Sequence, residues 1–485
     1  MEHLQTILTS EEDTTLFCRA MSHLAKAEVP EEIVQSLALG RITALLKTNG
    51  RIRGITTGDV LRRLVARTLA QQHGEAMAAA YAPFQFALGT RAGTDCLAHL
   101  VRYLTESDHD LTVASLDGVG AFDHIRRDAM LRKLVSVENA NVIFPFVHMF
   151  YGRTSQYIWS DEDGNTHDIS QGEGGEQGDP LMPYLYALGQ HDALAQAAQQ
   201  LQEGEHLFAF LDDLYLITGS TRTAEAFQLV TREVQERAGI QTNLGKTQIW
   251  NQAGGAAPPG LTELGLRDAW KGTGPAAQQG LVILGTPLGT PEFIEAKTRE
   301  RLDLEAELLA LLPGFDDLQA AWLILYFCAN PRATHWLRIL PPSLSEEYAA
   351  THDEFIWETL KVLVSLPDGP RGHQARQWAT LPHRMGGLGL QSASRTAPAA
   401  YWASLADAMP IIQAKAPTIA AAILEDLDGE ANPTSHSMQE ARDARVLLES
   451  EQGTSLPAWA TLAAGERPPQ NIDADPGEWR RGWQT

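Results

Sequence analysis

Two adjacent carboxylates interrupt an apolar run of residue types that favour strands. The run FAFLDDLYLI covers residues 208–217 and carries Asp212 and Asp213 at its centre. Two like charges among apolar side chains lose hydration and repel each other, so something must offset them. Mg²⁺ and Mn²⁺ prefer hard carboxylate oxygens, and the pair is therefore a candidate metal site. Taken alone, however, the pair is more simply interpreted as a hairpin turn, because Asp favours turns.

A third carboxylate gives the pair a chemical context. Asp117 follows the short apolar run LTVASL and is itself followed by GVGAFD. If the two strands are neighbours in one sheet, Asp117 lies beside the Asp212-Asp213 turn. Three carboxylates at one point would bind two divalent ions, the arrangement that clamps the attacking and leaving oxygens in phosphoryl transfer.

Other polar and glycine residues would serve the same chemistry. The run GGEQGDPL (residues 174–181) carries glycines that allow a close backbone approach, and its Pro180 is suited to opening a helix. Lys47 and Arg53 flank a predicted tight turn and could contact a triphosphate. Lys246 lies in NLGKT, downstream of the carboxylates. Taken singly, Lys47 and Arg53 are as easily interpreted as solvated surface charges, and Phe122 as a core residue.

The elements that must position these residues alternate between strand and helix. The Asn49-Gly50 pair predicts a hairpin, Asp59 predicts the start of a helix, and the segment after residue 290 is mainly helical. The predicted elements are a hairpin at 41–55, a helix at 58–81, a helix at 93–104, a strand at 111–116, helices at 126–135 and 141–151, a polar hairpin at 155–178, a helix at 180–202, the carboxylate hairpin at 207–218, a helix at 224–238 and a strand at 281–289.

Six motifs in this order resemble a reverse transcriptase, particularly of the non-LTR (LINE-type) retrotransposon class. The resemblance spans roughly residues 40 to 400. Each motif is weak alone, whereas the ordered set is specific. The motifs are K-x5-R from Lys47, D-x4-F-D from Asp117, GxxQGDPL from Gly174, F-x-D-D from Phe210, N-x2-K-T from Asn243 and LGTPLG from Leu284.

The resemblance implies a role for each matching residue. Asp117, Asp212 and Asp213 would ligate two Mg²⁺ or Mn²⁺ ions, with the Gly118 carbonyl as a further oxygen ligand. Lys246 would donate a proton to the leaving pyrophosphate. Lys47 and Arg53 would hold the nucleotide phosphates, Gln177 and Gly178 would lie beneath the incoming nucleotide, and Phe122 would exclude a ribose 2′-hydroxyl. Leu284 to Gly289 would form the hairpin that positions the primer end.

The same resemblance implies the fold and the partners. It predicts an α+β right-hand polymerase with N-terminal helices and fingers at 1–108, a palm with inserted fingers elements at 109–290, a helical thumb at 291–365 and a helical C-terminal extension with a flexible tail at 366–485. The expected partners are an RNA template, a DNA primer, deoxynucleoside triphosphates and an endonuclease encoded by the same element. The expected reaction is RNA-directed DNA synthesis.

Two residues depart from the family pattern, and three alternative interpretations stay open. Gly54 stands where proline usually follows the arginine, and the bulkier Leu211 stands where alanine is commoner beside the aspartate pair. One alternative is a catalytically inactive or domesticated nucleic-acid-binding protein. Others are an RNA-dependent RNA polymerase and a small palm enzyme that acts on nucleotides, such as a cyclase.

The composition bounds these interpretations. The net charge of -23 is unfavourable for general nucleic-acid binding, although basic residues cluster between Arg41 and Arg67 and could line a local cleft. Cys18, Cys96 and Cys328 are too far apart in sequence to form a zinc ligand set or a disulfide framework, as is typical of a reducing compartment. No apolar run is long enough for a membrane span, and the N-terminus lacks a secretion pattern, which together predict an intracellular protein without a membrane anchor.

Overall fold

The computed structural model of the 485-residue chain describes residues 2–46, 50, 52–367, 369–452 and 455–466. The strands are β1 (Gly40–Leu46), β2 (Ile52–Thr57), β3 (Leu111–Leu116), β4 (Ser155–Ser160), β5 (Thr166–Gln171), β6 (His206–Phe210), β7 (Asp213–Gly219), β8 (Gln248–Trp250), β9 (Gly280–Ile283) and β10 (Thr286–Gly289). The predicted strand at 111–116 and the hairpins at 41–55, 155–178 and 207–218 are confirmed. The predicted Asn49 turn and most of the predicted tail lie outside the described residues.

Helices account for most of the remaining regular structure. They are α1 (Glu2–Ile7), α2 (Glu11–Ala25), α3 (Glu31–Ala38), α4 (Val60–Ala80), α5 (Gly93–Ser107), α6 (Ala121–His124), α7 (Arg127–Ser136), α8 (Phe144–Tyr151), α9 (Met182–Ala198), α10 (Thr223–Glu233), α11 (Pro291–Leu311), α12 (Leu318–Ile324), α13 (Thr334–Ile339), α14 (Pro342–Leu363), α15 (Pro370–Thr380), α16 (Ala393–Lys415), α17 (Pro417–Asp428), α18 (His436–Gln452) and α19 (Trp459–Ala463). The mixture of antiparallel strands and helices confirms the α+β class.

Two boundaries differ from the sequence predictions. The single strand predicted at 281–289 is a hairpin of β9 and β10, because Leu284 and Gly285 adopt positive φ angles of 49° and 85° and reverse the chain. The helix predicted from Pro180 begins instead at Met182. The Asp179 carboxylate accepts a hydrogen bond from the Leu181 N–H at 2.9 Å and holds the turn before it.

The described residues divide into two compact units. The first comprises the described residues of the segments Met1–Gly89, Ser115–Thr218 and Arg222–Thr247, and the second comprises those of Thr90–Ala114, Gly219–Thr221 and Gln248–Thr485. The sheet of the first unit with the order β2-β1-β4-β5 has antiparallel hairpins joined by a short parallel pairing of β1 with β4. In another sheet β6, β7 and β3 follow each other in that order, and Asp117 lies directly after β3.

Each unit buries its own apolar side chains. In the first unit, β7 does not alternate between buried and exposed side chains, because Leu214–Ile217 are all buried. Helix α9 buries the side chains of Leu185, Tyr186 and Leu188. A strand that is covered on both faces reads as a continuous apolar run, which is the pattern seen after Asp213. In the second unit, the long helix α16 is buried along most of its length. Within the described part of the chain, no helix is both long enough and apolar enough to cross a bilayer.

Candidate active site

The Asp212-Asp213 pair lies at the tip of the β6–β7 hairpin. Phe210 pairs with Asp213, so Leu211 and Asp212 form a two-residue turn. Leu211 has a φ of 53°, a left-handed conformation that the first residue of such turns adopts and that usually selects glycine. The hairpin predicted from the sequence is thus confirmed, and the carboxylates lie where the chain reverses.

Asp117 is held beside this turn by the segment 241–246. The Asp117 carbonyl accepts a hydrogen bond from the Asn243 N–H at 2.8 Å, and the Val119 N–H donates to the Gln241 carbonyl at 2.8 Å. The Lys246 ammonium lies 2.8 Å from Asp117 Oδ2, and Asn243 Nδ2 lies 3.4 Å from the same oxygen. The motifs that contain Asp117 and Lys246, 129 residues apart in sequence, therefore meet at one carboxylate.

The charges of neighbouring aspartates raise the pKa values of Asp212 and Asp213. Burial, together with the charges of Asp212 and Asp117 and against the opposing charge of Lys246, raises the pKa of Asp213 to about 6. Burial also raises the pKa of Asp212, as does Asp117, whereas the Asp212 backbone N–H, Arg53 and Lys246 lower it. A raised carboxyl pKa means that the charged form is poorly compensated. The site therefore has excess negative charge that a cation would neutralise.

The oxygen atoms of the three aspartates suit a divalent cation, although the three side chains do not form a ready ligand set. Asp117, Asp212 and Asp213 offer only hard oxygens, which match Mg²⁺ and Mn²⁺. Among the residues that the structure describes, no three His, Cys, Asp or Glu side chains converge as ready metal ligands. The ammonium of Lys246 occupies Asp117 Oδ2 in this arrangement. A metal ion bound at Oδ2 would compete with that ion pair.

Phe122 lies in α6, just after Asp117, and its ring position is set by a residue that the sequence did not reveal. The partly buried Phe122 ring stacks on Tyr186 of α9, with ring centroids 4.5 Å apart and an interplanar angle of 10°. Tyr186 is fully buried, and burial together with the charges of the three aspartates raises its pKa well above the usual value. Phe122 thus packs against a core residue, Tyr186, as the packing interpretation expects. Its role in excluding a ribose 2′-hydroxyl stays a prediction.

The Gln177-Gly178 loop connects β5 to α9 and passes close to other backbone segments. Gly175 N–H donates to the Phe122 carbonyl at 2.8 Å. A Cβ on Gly178 would lie 2.2 Å from the Thr56 carbonyl oxygen, and one on Gly174 would lie 2.2 Å from the Asp123 carbonyl oxygen. These glycines are therefore required by contacts with the chain's own backbone. Gln177 is exposed on the loop and is available to a ligand.

A buried ionic network supports this loop, and sequence reasoning missed it. Arg62 of α4 has only 2% of its surface exposed; its guanidinium lies 2.9 Å from Glu176 Oε1 and 3.4 Å from Asp179 Oδ2. The Tyr151 hydroxyl donates to Asp179 Oδ2 at 2.7 Å, and the Arg62 guanidinium stacks 4.2 Å from the Phe150 ring centroid. Burial alone would lower the pKa of Arg62, but Glu176, Tyr151 and Asp179 raise it, so Arg62 stays charged.

The predicted phosphate-binding residues are only partly described. Arg53 is exposed on β2, opposite Leu45, and its charge lowers the pKa of Asp212, so it interacts with the carboxylate cluster. Lys47 lies outside the described residues. The predicted primer-positioning segment, residues 284–289, belongs to the β9–β10 hairpin in the second unit. Asp117, Gly118, Asp212, Asp213, Lys246, Arg53, Phe122, Gln177 and Gly178 all belong to the first unit.

Comparison with known proteins identifies the family. A sequence profile described as "Reverse transcriptase (RNA-dependent DNA polymerase)" matches residues 45–288, which is just over half of the chain. The chain belongs to the reverse transcriptase family. The predicted resemblance to this family and its α+β right-hand polymerase fold are therefore confirmed.

Individual relatives are distant. The "Retrotransposable element SLACS 132 kDa protein" of Trypanosoma brucei gambiense is 24% identical over 386 residues, which cover 78% of this chain; the chain spans about 30% of that protein's length. Among solved structures, telomerase from Candida albicans in complex with a fragment of telomeric RNA has a TM-score of 0.44 at 11% identity and covers 79% of this chain and 63% of the telomerase chain. An RNA-dependent RNA polymerase solved with vp4 and dsRNA has a TM-score of 0.39 at 12% identity, covering 69% of this chain and 28% of that chain.

Proposed function

We propose that this chain is the RNA-directed DNA polymerase part of a non-LTR retrotransposon protein. Family membership supports the polymerase class, and the SLACS relative supports the retrotransposon origin. The observation that carries the proposal is the electrostatic coupling of Asp117, Asp212 and Asp213, whose negative charges raise the pKa of Asp213, with Lys246 paired to Asp117. In this proposal the cluster belongs to the palm, the β1–β2 and β4–β5 hairpins to the fingers, and the helices after residue 290 to the thumb and C-terminal extension.

In the proposed reaction the primer 3′-hydroxyl attacks the α-phosphate of a template-paired deoxynucleotide and pyrophosphate leaves. Asp117, Asp212 and Asp213 would hold two Mg²⁺ or Mn²⁺ ions, with the Gly118 carbonyl as a further oxygen ligand. When bound, the ions supply Lewis-acid chemistry that lowers the pKa of the hydroxyl and stabilises charge on the leaving group. The three carboxylates would determine where the ions lie and thus where negative charge in the transition state is neutralised. Catalysis would therefore depend mostly on positioning and electrostatics.

The remaining side chains bind and orient the nucleotide. Arg53 already interacts with Asp212 and presents an exposed guanidinium, which is suited to a phosphate. Lys246 exchanges its contact with Asp117 for one with the pyrophosphate and delivers a proton there. Phe122, held by its stack on Tyr186, blocks a ribose 2′-hydroxyl, and the exposed Gln177 with Gly178 forms the floor beneath the nucleotide. Lys47 remains a predicted phosphate ligand, and a nuclease from the same element remains a predicted partner.

Extension of an oligo(dT) primer on poly(rA) tests this function. We expect the purified chain to incorporate dTTP with Mg²⁺ or Mn²⁺ and to use UTP far less efficiently, because the second hydroxyl meets Phe122. Phe122→Ala should reduce the preference for dTTP over UTP. Phe144→Ala changes an aromatic residue outside the proposed site and should leave this preference unchanged. Binding of the primer–template in a gel shift without any extension would instead identify a non-catalytic nucleic-acid-binding protein. Equal use of UTP and dTTP by the wild type would favour an RNA polymerase.

A further inference from the structure

The turn that carries Asp212 has a backbone that its sequence does not favour. Leu211 adopts a φ of 53° directly before Asp212. Side chains with a Cβ avoid this left-handed region, because Cβ approaches the following carbonyl oxygen. Glycine, asparagine and aspartate therefore dominate the positive-φ positions of two-residue turns, and leucine is rare there. A leucine there persists only where neighbouring contacts determine the turn, so the chain must contain a group that holds it.

Gln85 provides that contact. Its side-chain oxygen Oε1 accepts a hydrogen bond from the Leu211 backbone N–H at 2.6 Å. The same oxygen accepts a second, longer bond from the Ala87 N–H at 3.3 Å. Gln85 has only 2% of its surface exposed, so the carboxamide is well shielded from water. In such surroundings a hydrogen bond to backbone is stronger, and its loss leaves a donor without compensation.

Gln85 is itself fixed by backbone pairing along β6. The Phe86 N–H donates to the Ala209 carbonyl at 2.8 Å, and the Ala209 N–H donates to the Phe84 carbonyl at 2.9 Å. The Phe86 ring also meets the Phe208 ring edge-on, with centroids 5.7 Å apart. The segment therefore runs as a short extra strand beside β6. Its carboxamide reaches the end of that strand, two residues beyond Ala209.

We propose that Gln85 is a positioning residue that fixes the Asp212 carboxylate by locking the Leu211 amide of the β6–β7 turn. It does not touch the reacting atoms. It acts through the backbone, because the peptide unit between Leu211 and Asp212 determines where the Asp212 side chain points. This inference rests on the proposed polymerase function, in which Asp212 is a metal ligand.

Two substitutions of similar size separate positioning from simple packing. Gln85→Glu keeps an oxygen acceptor at the same distance along the side chain, whereas Gln85→Met fills similar space and offers no comparable acceptor. If the hydrogen bond positions Asp212, Gln85→Met should lower kcat by roughly ten- to a hundredfold, and Gln85→Glu should retain several times more activity than Gln85→Met. If the residue only fills the core, the order reverses, because the apolar Met is easier to bury than a carboxyl group.

Separate measurement of kcat and KM gives a further test. A displaced Asp212 weakens transition-state stabilisation, so kcat should fall in Gln85→Met while KM for the deoxynucleotide changes by less than about threefold. Gln200→Met serves as a control, because Gln200 bonds to the Gln196 carbonyl and Glu233 and has no contact with the turn. It should retain wild-type kinetics. A rise in KM with unchanged kcat in Gln85→Met, or a kcat at least equal to that of Gln85→Glu, would overturn the proposal.

Hydrogen exchange tests the same contact in the wild-type chain and does not depend on whether a variant folds. The Leu211 amide should be strongly protected against exchange, even though it lies in a turn next to partly exposed carboxylates. Exchange at the rate of an unstructured amide would overturn the positioning proposal whatever the variants do. The two proposals also fail differently: a folded wild type that extends no primer contradicts the polymerase function, whereas an active wild type with a freely exchanging Leu211 amide contradicts only the role of Gln85.

Discussion

Removal of one carboxylate from the candidate site should stabilise the metal-free protein. Burial and the charges of Asp212 and Asp117 raise the pKa of Asp213 to about 6. The usual aspartate pKa is about 3.9, and each pKa unit corresponds to about 1.4 kcal/mol. The ionised carboxylate therefore costs the folded state up to about 3 kcal/mol at pH 8. Asp213 is partly exposed, and solvent screening reduces this figure, so we expect Asp213→Asn to raise the free energy of unfolding by about 1–2 kcal/mol.

The pH dependence of this gain has a definite sign. Between about pH 4 and pH 6, folded Asp213 keeps a proton that the unfolded chain has released. The free energy of unfolding of the wild type should therefore fall as the pH rises through this window, by the contribution of this group. The stabilisation in Asp213→Asn should be complete above about pH 6 and vanish near pH 4.

Urea denaturation in the presence of EDTA measures the effect at pH 4.5 and pH 8. Asp353→Asn is the matched control, because the Asp353 carboxylate accepts hydrogen bonds from Ser392 Oγ at 2.8 Å and the Ala393 N–H at 2.6 Å at the start of α16. That substitution should lower the free energy of unfolding. An Asp213→Asn protein that is no more stable than the wild type at pH 8, or whose gain in stability does not shrink at pH 4.5, would contradict this prediction.

Three further predictions follow from contacts in the first unit. Arg62→Met should lower the free energy of unfolding by about 3–5 kcal/mol, because it leaves the buried Glu176 and Asp179 without their cation. A loss below about 1 kcal/mol in urea denaturation would show that this ion-pair network contributes little to stability. Lys246→Met should tighten Mn²⁺ binding severalfold in an electron paramagnetic resonance titration, since the metal no longer displaces an ammonium from Asp117, and weaker binding would refute that competition. Gly178→Ala should abolish most primer extension, because the alanine Cβ would lie 2.2 Å from the Thr56 carbonyl oxygen and force the loop to move. The circular dichroism spectrum should stay close to that of the wild type, and full activity would contradict the need for this close approach.

Local patterns in the sequence predicted most of the elements that carry the site. The helix after Asp59 begins where the capping residue indicated, since the Asp59 carboxylate accepts a hydrogen bond from the Leu61 N–H at 2.7 Å. The strand before Asp117 and the turn at Asp212 also lie where apolar runs and polar interruptions indicated. At 280–289 the local pattern predicts a single strand and only the family resemblance predicts a hairpin, because Leu284 gives no sign in sequence of a left-handed conformation.

Contacts between residues far apart in the chain could not be predicted in the same way. Arg62 and Glu176 are 114 residues apart, and Gln85 and Leu211 are 126 residues apart. Nothing in the local spacing of either pair indicates that they meet, and arginine and glutamine are usually exposed. Only the folded backbone shows that a buried cation supports the Gln177 loop. The ordered motifs indicated candidate site residues, whereas the groups that contact those residues are seen only in the structure.

In the proposed function, Asp117, Asp212 and Asp213 drive nucleotide addition. Single-turnover incorporation of one deoxynucleotide on an RNA template, with Mg²⁺ or Mn²⁺, tests it most directly in the wild type, Asp212→Asn and Asp163→Asn. Asp163 is an exposed aspartate between β4 and β5, so it controls for the loss of one carboxylate. We predict wild-type rates for Asp163→Asn and a loss of at least about a thousandfold for Asp212→Asn. Equal incorporation rates for the wild type and Asp212→Asn would contradict the proposed function.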